Sequence, residues 1–288
     1  MSSAVELNAP GPRGVSPLVA RLIDDASLYP PGNADMQDAI SAHLRTRATE
    51  HAGVLGVFLC PASRLAEMIT ALSSVKPDRP IGLSLVIDTG MGGVPKAVSI
   101  VESRTELLAL RMIEMPAPAD VDEVWLERVN EFVPEDVTRV VEPRRGDPRW
   151  LDGVRKVTEF GCVPKLRCGG ARKQNFPSVE EVADFLAVVS QTGTSFKATA
   201  GLYQAVRRFH TDIGVDHHGF LNLLVATARA LAGKNVREAL RSTERAALAA
   251  EAAELSEAAA RAVRGIFSSY GACELDEPVT ELRDLGLL

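Results

Sequence analysis

Short, continuously apolar runs alternate along this chain with longer stretches whose apolar positions recur at helical spacing. Residues 54–60 (VLGVFLC), 81–87 (IGLSLVI), 107–113 and 137–141 are of the first kind, the pattern of strands covered on both faces. Between them, 62–72, a segment reaching roughly Arg104, and one that Asp120 can cap and that runs to about Phe132 read as helices. Upstream, 18–28 fits a strand or a short helix, and after the Pro30-Pro31-Gly32 break Asp35 can cap a helix with Met36, Ala39, Ile40 and Leu44 on one face. A helix near 150–160 leads into a strand carrying Lys165, Ser178 with Glu181 forms a capping box for a helix through Val189, and a strand carrying Lys197 follows. Counting 18–24 as the first strand makes these the sixth and seventh. Beyond Gly201 the pattern turns helical in three successive segments, and 268–275 (SSYGACEL) supplies an eighth strand. Strands and helices in this alternation predict an α/β fold, a (β/α)8 TIM-like barrel with an enlarged helical excursion before the last strand. An open doubly wound sheet is the alternative, without the Gly-x-Gly-x-x-Gly signature of dinucleotide binding.

Composition narrows the function more than the fold. The 288 residues are 46% hydrophobic and 24% charged, enough for a large core, and no linker or internal repeat divides them. Residues 1–14 read as a flexible tail and 15–288 as one barrel domain. A net charge of −6 without a basic run argues against nucleic acid or a membrane surface as partner. No signal peptide or spanning segment is legible, and the cysteines Cys60, Cys162, Cys168 and Cys273 lack metal-site spacing, which together point to a cytoplasmic protein with reduced thiols. No motif asks for a cofactor or a metal, and self-association into a homo-oligomer stays open.

The chemistry concentrates in 164–202. Lys165 and Lys197 each sit in a short apolar strand followed by glycine, and a lysine there needs a partner or a task. On successive strands of a βαβ unit the two project toward the same strand ends, where α/β folds keep their chemistry. A desolvated amine, or one beside a second cation, becomes a nucleophile; two anion anchors are the plainer reading of the same residues. Asp24, Asp25, Asp88, Glu114, Glu142 and Arg167 fall at other strand ends, with Glu114 and Glu142 each closing an apolar strand shortly before a proline. Arg167, Gly169, Gly170, Thr199, Gly201 and Asp25 are candidate substrate contacts. His218 reads as a helix cap or a ligand contact, and Asn222 equally as a buried polar contact or a substrate ligand.

The lysine strand, Gly loop, helix and second lysine strand resemble the deoxyribose-phosphate aldolase group of class I aldolases over about forty residues. That resemblance implies a (β/α)8 barrel in which Lys165 forms a Schiff base and Lys197 assists it electrostatically. Leu166-Arg167-Cys168 stands where those enzymes carry a Thr/Ser-rich stretch, so an anion clamp remains in play. Over nearly its whole length the chain also resembles a family of uncharacterised bacterial (β/α)8-type proteins. The shared motifs are Asp-Ala-Ser-Leu-Tyr-Pro-Pro at 25–31, Pro-Ala-Ser-Arg-Leu at 61–65, Lys-Leu-Arg-Cys-Gly-Gly, Phe-Lys-Ala-Thr-Ala-Gly-Leu, His-Gly-Phe-Leu-Asn at 218–222 and Glu-Pro at 277–278. Tyr203 and Gln204 replace a histidine pair usual in that family, which implies a different substrate or a lost activity. The expectation is a lyase that attacks a small anionic carbonyl substrate through Lys165, with Lys197 assisting and Glu142 or Glu114 moving protons. An isomerase or lyase using the lysines as acid and base, with a metal at Glu114, Glu142 and His218 as one variant, and a non-catalytic binding protein for an anionic metabolite are the alternatives.

Overall fold

The computed structural model describes residues 15–288; the expected flexible tail at 1–14 lies outside the described residues. Seven strands follow one another as β1 (Ile23–Asp25), β2 (Leu55–Pro61), β3 (Ile81–Val86), β4 (Leu108–Pro116), β5 (Thr138–Glu142), β6 (Val163–Arg167) and β7 (Phe196–Thr199). A small antiparallel ribbon, β8 (Arg208–His210) and β9 (Val215–His217), precedes the last strand, β10 (Phe267–Ala272). The eight long-range strands pair in the order β1-β10-β7-β6-β5-β4-β3-β2 and close on themselves through parallel β1–β10 and β1–β2 ladders. This is a (β/α)8 barrel, with the helical excursion in the expected place: Phe220–Leu231, Val236–Arg241, Arg245–Ala253 and Glu257–Ile266 all intervene before β10.

Local sequence accounts for the element ends. Ser178 Oγ accepts from the Glu181 amide at 3.1 Å while the Glu181 carboxylate accepts from the Ser178 amide at 2.7 Å, so the capping box forms reciprocally and starts Val179–Thr192. The helix stops at Gly193, whose φ of 66° is left-handed. Asp122, not Asp120, caps Glu123–Phe132 by accepting from the Trp125 amide at 2.7 Å. Asp35 precedes Met36–Arg47 but its side chain makes no capping bond.

The first strand is shorter than the apolar pattern predicts. Residues 17–21 form a turn, closed by Val19 and Ala20 amides on the Ser16 carbonyl and reversed at Arg21, whose φ is 52°. Leu18, Val19 and Leu22 are still fully buried, so their hydrophobicity reflects core packing and not strand geometry.

Two apolar layers wrap the barrel. One packs Met36–Arg47, Leu65–Val75, Val94–Glu102 and Glu123–Phe132 on β2–β5; the other packs Val179–Thr192 and the excursion on β6, β7 and β10. In the second, Trp150, Phe185, Phe196 and Phe267 form a continuous run of ring contacts at 6.0, 5.3 and 4.8 Å between centroids. The closing seam is tied by the half-buried Arg264, whose guanidinium donates to the carbonyls of Ala20, Phe267 and Ser268.

Candidate active site

Neighbouring residues on a strand face opposite ways. On β4, Ile113 and Met115 join the outer apolar layer, which turns Met112 and Glu114 into the barrel. Lys165 and Lys197 are register partners on β6 and β7, and Ser269 on β10 is the register partner of Lys197. The inward residues meet on Glu114. Its Oε2 lies 2.5 Å from Lys165 Nζ and its Oε1 lies 2.6 Å from Lys197 Nζ, while Ser84 Oγ donates to Oε1 at 2.6 Å. Because β4 and β7 are not neighbours, this pair crosses the barrel interior. Lys197 reaches Asp24 Oδ2 at 2.6 Å; the same oxygen accepts from Ser269 Oγ at 2.6 Å, and Asp24 Oδ1 from the Val57 amide at 2.8 Å. The result is a chain of alternating charge, Asp24–Lys197–Glu114–Lys165, with every carboxylate oxygen occupied.

The electrostatics follow from that order. Burial alone would raise the Glu114 carboxyl, but Lys165 and Lys197, by charge and hydrogen bond, hold it far below the usual carboxylate range. Burial alone would lower Lys197, but Asp24 and Glu114 outweigh it and hold the ammonium above its ordinary value. Lys197 is 0% exposed and Lys165 8%, so both are buried and Lys165 is the more accessible of the two. Beyond it the Arg167 guanidinium grips Glu142 through two bonds of 2.5 and 3.1 Å, and Glu142 Oε2 stands 3.7 Å from Lys165 Nζ. Glu142 and Arg167 border a cleft of about 1190 Å³ formed by the segments after β5, β6 and β7.

Of the residues read from sequence, Lys165, Lys197, Glu114 and Glu142 come together, with Arg167 at the rim. Gly169 and Gly201 make a close crossing of the loops after β6 and β7: a Cβ on Gly169 would lie 2.5 Å from the Gly201 Cα. Gly170 lies against the Asn175 side chain, and Thr199 is the register partner of Arg167, its carbonyl accepting from the Cys168 amide at 2.8 Å. Cys168 is fully buried, and burial pushes its thiol up to about 12.

Four expectations are corrected. Asp25 faces away from the lysines, accepting from the Ser27 amide at 3.0 Å and sitting 3.0 Å from His43 Nδ1; the inward acid is its neighbour Asp24. Asn222 is wholly engaged inside the excursion: its oxygen accepts from the amides of Arg207 and Gly219, and its nitrogen donates to the carbonyls of Ala239 and Ser242. It is a structural knot, not a substrate ligand. His218 is fully buried with Nε2 at 3.1 Å from the Pro177 carbonyl, and burial pushes it down to about 4, which keeps it neutral and out of substrate contact. A metal shared by Glu114, Glu142 and His218 has no geometry to support it, since both Glu114 oxygens hold ammoniums and no cluster of three metal-binding side chains occurs among the described residues.

Sequence reasoning passed over Ser84, Ser269 and Tyr29. The Tyr29 hydroxyl is buried with no hydrogen-bond partner, and burial together with the nearby Glu114 charge raises it above the usual phenol range. A buried unpaired hydroxyl beside the charged chain is a donor awaiting an acceptor. No protein-family model and no curated protein matches this chain. No helix among the described residues is long and apolar enough to cross a membrane.

Proposed function

We propose that this barrel is a small-molecule enzyme of the lyase type, acting on a carbonyl substrate through an imine on Lys165, as the resemblance to the aldolase group suggests. The observation that carries the reading is the shared carboxylate: one buried Glu114 serves two lysines, of which Lys197 is sealed at 0% and Lys165 keeps 8% exposure. The proton balance suits that arrangement. The Lys165 ammonium gives up a proton, its nitrogen attacks the carbonyl carbon, and the oxygen departs as water. Of the three ammonium protons two leave in that water and one stays on the iminium. Glu114 therefore faces one cation on that side before and after the step, and the buried charge never has to be rebuilt. The iminium then draws in the electron pair of the adjacent bond as it breaks, leaving an enamine that a proton quenches. Glu114 is held too far into its anionic form to be the proton carrier and serves as the counter-ion; Glu142, at the cleft edge, is better placed. Lys197, pinned between two carboxylates, fixes Glu114 in position.

Borohydride reduction in the presence of aldehydes, ketones and 2-oxo acids, read by peptide mass spectrometry, tests this. An adduct on Lys165 that disappears in Lys165→Ala supports it. A panel that modifies no lysine above background ends it. A second reading draws on the 2.5 Å contact between Lys165 and Glu114, which suits an ammonium acting as general acid in an isomerase or lyase without any covalent step. That reading expects turnover without trapping.

A further inference from the structure

The cleft beside Glu142 is larger than a small carbonyl compound needs, at about 1190 Å³, against roughly 300–1,000 Å³ for pockets that bury drug-sized ligands. Five arginines line it, Arg144, Arg145, Arg167, Arg172 and Arg207, in a protein whose net charge is −6. Three are neutralised locally: Arg167 by Glu142, Arg145 by Glu181 at 2.9 Å and Arg207 by Asp216 at 3.0 Å. The remaining acid of the lining, Asp147, stands 4.0 Å from Arg149. Arg144, after β5, and Arg172, after β6, are exposed and have no carboxylate partner among the described residues. The Arg145 Nε, buried and without an acceptor, adds an unused donor to the same wall.

We infer that this cleft holds a phosphate group of the substrate, gripped by Arg144 and Arg172, while the carbonyl end of the same molecule meets Lys165. Two uncompensated guanidiniums match a dianion, and guanidinium geometry matches phosphate oxygens in paired bonds. Glu142 links the two ends, lining the cleft while standing 3.7 Å from Lys165 Nζ, and its pairing with Arg167 neutralises that arginine and leaves the anion to the outer two. The inference rests on the imine reading only for the carbonyl end; the anion site stands on the charge balance of the cleft.

The test therefore has two arms. Calorimetric titration of the intact protein with inorganic phosphate, and with succinate for comparison, involves no carbonyl. Tighter binding of phosphate than succinate, weakened about tenfold or more in Arg144→Ala/Arg172→Ala, is expected, because each lost charged contact is worth roughly that factor. Both positions are exposed, so a circular-dichroism melt matching wild type checks that the variant folds. In the second arm, glycolaldehyde phosphate and glycolaldehyde are compared in borohydride trapping; the ratio of their adducts on Lys165 should be well above one in wild type and fall toward one in the double variant. Phosphate binding that the double variant loses, with no adduct from either aldehyde, keeps the anion site and overturns the imine reading. Adducts from both aldehydes in equal yield, with phosphate binding absent or untouched by the double substitution, overturn the anion site and keep the imine. Succinate binding as tight as phosphate overturns the assignment to phosphate.

Discussion

Two buried polar clusters lie within this molecule, and they are built on opposite principles. Around Asn222 the groups are neutral amides and carbonyls, four bonds use the side chain fully, and nothing is left over. In the barrel the groups are ions, two ammoniums against two carboxylates, and the chain ends on Lys165 with the unpaired Tyr29 hydroxyl beside Glu114. A neutral knot fixes helices in place at little electrostatic cost. A buried ionic chain rarely stabilises more than apolar packing would, and here it leaves the Tyr29 hydroxyl without a partner.

Substitutions can break that comparison in order of expected effect. Glu114→Gln removes the shared carboxylate and leaves two buried ammoniums facing an amide, so it should lower unfolding stability by about 3–5 kcal/mol in urea titration. The pH course follows from the two shifts. Glu114 is depressed in the folded state, so its contribution is full above its unfolded value near 4.3 and is lost as pH falls further. Lys197 is raised, so its contribution is full below about 10.4 and is lost as pH rises through its folded value. The stability gap between wild type and Glu114→Gln should accordingly stay flat from about pH 5 to 10 and narrow below about pH 4. A gap that widened on acidification would contradict the ion-pair account.

Asn222→Ala should cost about 3 kcal/mol, since it strands buried amides and carbonyls, yet leave Lys165 labelling per folded molecule unchanged. Loss of labelling there, with folding intact, would erase the distinction between the clusters. Tyr29→Phe should move stability by less than about 0.5 kcal/mol because its hydroxyl has no partner to lose. It should nevertheless slow adduct formation on Lys165, read by quenching the trapping reaction at successive times; an unchanged rate would remove Tyr29 from the site.

What the sequence makes legible is set by how far each feature depends on distant residues. Continuous apolar strands, the Ser178–Glu181 box and the two strand lysines are local patterns, and each maps onto the structure. Asp24 and Asp25 are adjacent and chemically alike, so choosing between them needs the phase of a three-residue strand, which the apolar turn at 17–21 conceals. The arginine cleft joins segments after three different strands, and nothing in any one of them marks the others. His218 reads from sequence as a helix cap or a ligand contact and Asn222 as a buried polar contact or a substrate ligand, and only their distant partners, the carbonyls of Pro177, Ala239 and Ser242, decide for structural roles.

The contact between Asp24 and Ser269 spans 245 residues of chain. Through Asp24 it holds one end of the lysine relay, so that end exists only once the first strand and the last have met. Before that moment the barrel is an open sheet with two bare edges at β1 and β7, and Lys197 has neither Asp24 nor the cross-barrel contact to Glu114. The charged cluster is thus completed only by ring closure: a chain still awaiting its final strand carries both lysines without the carboxylates that hold them.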